Sequence, residues 1–258
     1  MFSALKIREK FSAASSDYDD YAFIQRRIGS ELIRFLARDE KAAGSLLDIG
    51  TGTSYFLSQI SLLYPDVKIF GLDFAPGMLK IAKRRGVRFL IQADTESLPF
   101  SLDSFDLIAS NLAFQWPLQL DVAFSEVLRV LRPGRDFYFS IFGPHTFFEL
   151  FECVNRVKAI SDFEILPSKE KIYKALTHAG FSSIEITSSL FCEYFSDFLS
   201  IIRWLKLLGA NQRGVRFSGL EARSVFKNAE SLYRQNFSKD NKLIVSFEKI
   251  FVKASKPR

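Results

Sequence analysis

Leu46-Leu47-Asp48-Ile49-Gly50-Thr51-Gly52-Thr53-Ser54 is the stretch from which the rest of the 258-residue chain is read. An apolar run stops at an acid and two glycines spaced G-x-G. A helical pattern carrying Phe56, Leu57, Ile60 and Leu63 follows at once. This is how a buried parallel strand turns through a loop into a helix. Glycines at such a turn let the chain bend sharply and let a ligand approach bare backbone. The helix start behind them offers free N–H groups, and in dinucleotide folds such a loop cradles a pyrophosphate. The third glycine of G-x-G-x-x-G is absent, with Tyr55 in its place, and no Gly-Lys-Ser/Thr follows, so the P-loop reading fails. Alone, the G-x-G is equally compatible with a plain tight turn.

Four downstream segments narrow the choice. Val67 to Leu72 reads as a strand ending at Asp73, an acid about twenty residues beyond the loop, where a carboxylate suits a ribose diol. Phe89-Leu90-Ile91-Gln92-Ala93-Asp94 ends a third strand with another acid, Phe105 to Asn111 reads as a fourth, and Leu128-Arg129-Val130-Leu131-Arg132-Pro133-Gly134 precedes a fifth. In this order and spacing the five segments resemble the motifs of class I S-adenosylmethionine-dependent methyltransferases. The resemblance implies S-adenosyl-L-methionine as cofactor, and Asp48, Gly50, Gly52, Asp73, Phe74, Met78, Asp94, Thr95 and Asn111 as the residues that bind it. It sets Asp94 against the adenine amino group. Asp48 serves either the cofactor or the loop's own backbone.

The implied fold is α/β, a Rossmann-like sheet of seven mostly parallel strands with helices on both faces and an antiparallel last strand. Residues 1–258 are expected to form a single domain: an N-terminal helical cap over 1–44, a core over 45–190, a helical insertion over 191–240, and the last strand with a frayed tail over 241–258. Ile28, Leu32, Ile33 and Leu36 recur at helical spacing in the cap, which is expected at one edge of the sheet. Strand five is expected over Phe137–Phe142, a helix capped by Ser168 ending at Gly180, strand six over Ser183–Thr187, and the last strand over Leu243–Val252. Arg135 stands where the family has a second glycine after Pro133-Gly134, which bears on the local turn.

Composition limits the function classes. Only Cys153 and Cys192 are present, without a disulfide or zinc spacing, and His145 and His178 do not complete a metal set. The N-terminus lacks an apolar signal core and there is no run long enough to span a membrane, so a cytoplasmic protein is expected. The net charge is +6, with Lys and Arg spread along the chain rather than gathered in one block, which suits nucleic acid, an acidic protein partner or a solvated surface. The amine-clamping Asn/Asp-Pro-Pro-Tyr/Phe motif of nucleic-acid methyltransferases is missing after strand four, where Asn111-Leu112-Ala113-Phe114 stands. Most of the 28 phenylalanines read as core packing.

Four further stretches carry a narrower resemblance: Tyr18-Asp19 with Gln25-Arg26, Asn111 to Trp116, Phe139 to Leu150, and Ile202 to Asn211. Together they resemble the malonyl-acyl-carrier-protein O-methyltransferases of biotin biosynthesis. His145 departs from that family's pattern by replacing a glycine. The resemblance implies methylation of a malonyl carboxylate carried on acyl carrier protein or coenzyme A, with no nucleic acid and no membrane, by a protein expected to be a monomer. A quinone-like small-molecule C- or O-methyltransferase and a non-catalytic cofactor-binding protein are the alternatives.

Methyl transfer needs alignment and exclusion of water more than an acid or base. A carboxylate substrate is already ionised and needs no base. It does need a cation, best a guanidinium that grips it in bidentate fashion. Tyr18 and Arg203 are the catalytic candidates. The entry to the cap resembles that of small-molecule methyltransferases, which implies that Tyr18 closes over the cofactor; otherwise it only staples the cap to the core. Arg203, among Ile201, Ile202, Trp204 and Leu205, either lies on the wet face or is drawn inward by a ligand; Lys206, Arg26 and Arg27 are the reserves. The acidic carrier protein is expected to meet Arg203, Lys206, Arg213, Arg216 and Arg223 on the inserted helices.

Overall fold

The structure is a computed structural model describing residues 4–38, 44–157, 166–207 and 219–258, the side chains of 219–223 excepted. The chain opens with α1 (Ala4–Ala14), α2 (Tyr18–Tyr21) and α3 (Phe23–Leu36). The alternating half follows: β1 (Ser45–Ile49), α4 (Tyr55–Leu63), β2 (Lys68–Asp73), α5 (Pro76–Arg84), β3 (Phe89–Gln92), β4 (Phe105–Asn111), α6 (Leu120–Val130) and β5 (Leu131–Phe142). The remainder is α7 (Phe148–Val157), α8 (Lys169–Ala179), β6 (Ser182–Phe195), α9 (Phe198–Leu207), α10 (Gly219–Asn236), β7 (Ser238–Lys239) and β8 (Lys242–Ser255).

One sheet runs in the order β3-β2-β1-β4-β5-β8-β6. Its first five strands are parallel, and β8 lies antiparallel between β5 and β6. The described strands number eight rather than seven because the two-residue β7 folds back on the start of β8. Order reverses between β1 and β4, so the carboxyl ends of these neighbours open a crevice.

The strands are apolar without alternation because helices cover both faces. Leu47, Ile49, Ile108, Phe137 and Phe139 face α6 and α8, while Leu46, Leu107, Ala109 and Tyr138 face α3 and α4. This period of two sends neighbouring residues of β1 into different cores. A third core joins α3, α7, α9 and α10 to the start of β8. Local signals hold where they were strong. The Ser168 hydroxyl accepts from Lys171 N at 3.3 Å and Gly180 closes α8 with φ +101°; Pro76 opens α5, where its fixed φ suits a first helical turn.

Several expected boundaries move. The cap packs α3 on a face of the sheet against α4, not along an edge. β5 starts at Leu131, so Pro133-Gly134 lies within the strand, and Arg135 there pairs with Asp106 at 3.5 Å. β6 continues to Phe195 because β8 pairs with it throughout, so residues 191–195 are strand and the helical insertion begins at Phe198. The C-terminal residues are not frayed: Lys256 Nζ bonds Asp103 Oδ1 at 2.6 Å, and Gly134 N donates to Lys256 O at 3.0 Å. Among the described residues no helix is long and apolar enough to cross a membrane, and no His/Cys/Asp/Glu group could hold a metal ion.

Candidate functional site

The glycine loop sits at the crevice. Gly50 N and Thr51 N donate to Leu72 O at 2.8 and 2.9 Å, so the loop leans on β2. Gly50 has φ +74°, and a Cβ there would strike Ala113; Gly52 has φ +54°, and a Cβ there would meet no atom within 4 Å. The first glycine serves packing, and the second leaves room beside bare backbone.

Asp73, at the end of β2, is buried, and its two oxygens accept from Gly52 N and Ala75 N, both at 2.8 Å. Burial pushes its carboxyl up to about 6 against the opposing N–H groups of Ala75, Gly52 and Phe74. Asp48, at 1% exposure, has no hydrogen-bond partner on either oxygen. Burial pushes it up to about 7 and the Asp73 charge adds to this; the Thr51 hydroxyl is near enough to lower it but does not meet hydrogen-bond geometry. Among the described residues six buried side-chain polar atoms lack partners. Four are on Asp48, Thr51 and Ser54, and the others are on Gln25 and Gln115. Buried polar atoms are nearly always paired, so their concentration beside the loop marks where a polar ligand fits.

The cap roofs this crevice. Phe11 of α1 meets Trp116 edge-on at 5.1 Å, and Ser12 lies over the first turn of α5, its hydroxyl accepting from Gly77 N at 3.3 Å. Asp19 accepts from the Thr53 hydroxyl at 2.7 Å and pairs with Arg85, which also donates to Thr53 O at 3.0 Å. Tyr18 is thereby held near the acids. Burial raises its phenol pKa, the charges of Asp73 and Asp19 add to this, and Arg26 lowers it. Arg26 donates to Asp19 O and stands 5.8 Å from the centre of the Tyr55 ring.

The other named residues divide. Phe74 is half-buried beside Asp73, and Met78 is buried on the first turn of α5. Asp94 is exposed at the end of β3 and folds a turn by accepting from Glu96 N at 3.0 Å, with half-buried Thr95 between them. The Asn111 side chain is committed to structure, donating to Gln25 O at 2.9 Å and accepting from Ser140 Oγ at 2.7 Å.

Arg203 is on the wet face of α9. It is exposed and helps hold the Asp197 carboxyl low, after the Ser200 N–H and the Ser196 hydroxyl; Ile201 and Trp204 fill the core. Lys206 is exposed too, and Arg27 turns outward to Glu193 at 2.9 Å. Of these four cations only Arg26 lies with Tyr18. Arg213, Arg216 and residues 208–211 lie outside the described residues, as does the Arg223 side chain. Two residues the sequence reading did not weigh are Thr53 and Arg85, which fasten the cap; a threonine in the loop and an arginine at a helix end gave no signal of that pairing.

His145 N and Nδ1 lie 3.1 and 2.7 Å from Glu248 Oε2. Residues 144–147 form a turn, and α7 follows from Phe148.

The fold matches the YcgJ protein from Bacillus subtilis with a TM-score of 0.62 at 21% identity, covering 88% of this chain and 98% of that one. The methyltransferase domain family matches residues 47–139, from the end of β1 into β5. Fold and loop together define a class I methyltransferase. A malonyl-[acyl-carrier protein] O-methyltransferase of Methylovorus sp. (strain MP688) is 32% identical over 98% of this chain and 89% of its own length. Another, from Dechloromonas aromatica (strain RCB), is 37% identical over 90% and 87%. The chain belongs to the family of malonyl-[acyl-carrier protein] O-methyltransferases.

Proposed function

We propose that this protein methylates the free carboxylate of malonyl-acyl-carrier protein with S-adenosylmethionine, a step of biotin biosynthesis in the cytoplasm. The observation that carries it is the row of unpartnered buried oxygens on Asp48, Thr51 and Ser54, in a chain aligned along nearly its whole length with relatives of that activity. When bound, S-adenosylmethionine supplies a methyl group on a sulfonium that leaves without acid assistance. Asp48 would take the cofactor's ammonium, a cation that favours its ionised, acceptor-only form. Asp73 accepts from the ribose hydroxyls while holding Gly52, and Asp94 with Thr95 serves the adenine rim. Phe74 and Met78 supply apolar packing, and Asn111 shapes the crevice from behind. The cap excludes water, so alignment does most of the work.

The substrate carboxylate attacks without a base, and Tyr18, kept as a phenol, donates to it. Arg26 supplies the matching cation in place of Arg203, because it is the arginine held beside Tyr18. The test is methyl-ester formation on malonyl-carrier protein by the purified protein, followed by mass spectrometry. Arg26→Ala should cut turnover at least about 100-fold, as loss of a charge-assisted pair does, with cofactor affinity held; Arg203→Ala should leave it within about twofold. Absence of the ester in the wild type overturns the activity, and normal turnover of Arg26→Ala overturns the Arg26 role.

A further inference from the structure

Although Lys and Arg are spread along the chain, the net excess of positive charge falls in two segments that pack together. Between Phe74 and Ala93 there is no acid, and Lys80, Lys83, Arg84, Arg85 and Arg88 all fall there. α1, which packs across the first turn of α5, adds Lys6, Arg8 and Lys10 against the single acid Glu9. The two segments carry eight cations and one acid, an excess of seven against +6 for the whole chain, so the rest of the protein is close to neutral. Arg85 is taken by Asp19. Lys80, Lys83 and Arg84 are exposed and, among the described residues, have no salt-bridge partner. Leu5, next to Lys6 on α1, is half exposed.

The patch adjoins the site. α5 starts three residues after Asp73, and α1 is the roof that reaches from α5 to Trp116. A partner seated on α1 and α5 therefore lies beside the crevice, where a flexible acyl arm can enter. α9, the alternative face, has its Arg203 beside the acid Asp197.

We infer that the α1–α5 face is the docking surface for the acidic carrier protein, the complementarity being one of charge. This rests on the activity proposed above. The test is the triple variant Lys80→Glu, Lys83→Glu, Arg84→Glu, with steady-state kinetics on malonyl-carrier protein and on malonyl-pantetheine, which lacks the protein. KM for the carrier protein should rise at least about tenfold and lose much of its salt dependence. Turnover of malonyl-pantetheine and calorimetric affinity for S-adenosylmethionine should stay as in the wild type. Lys171→Glu with Lys174→Glu, exposed on α8, should change neither KM; an equal rise there would overturn a local patch in favour of overall charge. If the triple variant misfolds by circular dichroism, Lys83→Gln and Arg84→Gln take its place, with a smaller rise expected. An unchanged KM for the carrier protein in folded variants overturns the surface alone. A wild type inactive on both substrates overturns the activity and the surface with it. If the reversals abolish binding of a single-stranded RNA oligomer but leave carrier kinetics intact, the face is a nucleic-acid surface and the inference is wrong.

Discussion

Asp48 and Glu149 are both buried carboxylates, at 1% and 5% exposure, and their surroundings are opposite. Asp48 accepts nothing. Glu149 accepts from Ser246 N at 2.9 Å and from the Ser246 hydroxyl. The contrast extends to the regions around them. Beside the glycine loop, Thr51 and Ser54 also lack partners. In the β6–β8 half, Tyr233 donates to Ile244 O at 2.6 Å and Glu248 receives His145. An unsatisfied buried polar group costs about 1–3 kcal/mol. The loop region carries several such costs that a ligand would relieve, while the β6–β8 region is complete without one. Function and stability are thus expected to separate by region.

The largest effect that would sharpen this comparison is in the complete region. Phe247 is fully buried among Phe147, Phe191, Phe142 and Trp204, with ring centres 5.1 to 5.8 Å away. Phe247→Ala should lower the unfolding free energy by about 3–5 kcal/mol, as large-to-small core changes do. Cofactor affinity of the folded fraction, read by calorimetry, should be unchanged; a parallel loss of affinity would break the separation.

Next comes Asp73→Ala, which should weaken S-adenosylmethionine binding by about 3 kcal/mol, roughly 100-fold, through lost charge-assisted bonds. A folded variant with wild-type affinity would remove Asp73 from the cofactor site.

The smallest effect concerns pH. The unfolded Asp48 gives up its proton at the ordinary carboxylate value of 3.8, and the folded one only near 7. Between these values the folded state holds the extra proton, so the cofactor-free protein is favoured at low pH. That advantage is lost as pH rises through the folded value. Melting temperature should therefore fall from pH 5 to pH 8. Asp48→Asn should flatten the fall by about 2 kcal/mol, less than the full shift because Asp48 and Asp73 titrate as a pair. An unaltered slope in the variant would show that Asp48 does not hold this proton.

The parallel half was legible because each of its signals is local. Short apolar runs that stop at Asp48, Asp73 and Asn111 read as strands of a covered sheet, and Pro76 marks the first turn of α5. β6 was legible only to Thr187. Its Ser188-Ser189 and its exposed outer positions weaken the pattern, and pairing with β8 carries it on to Phe195.

The sequence by itself determined the chain order of the parallel strands and their helices, the glycine loop, and the acids at the carboxyl ends of β1, β2 and β3. These follow from periodicity and backbone freedom, which act over a few residues. The tertiary structure alone decided which of the candidate arginines lies beside Tyr18. Arg26 and Arg203 both sit on helices among apolar neighbours. α9 turns Ile201 and Trp204 to the core and leaves Arg203 in water, while Asp19 draws Arg26 in beside Tyr18. It also decided that Asn111 is a brace, and that two cation-rich segments distant in sequence pack together as α1 and α5. A side chain's direction depends on what its helix packs against, and no local pattern encodes that.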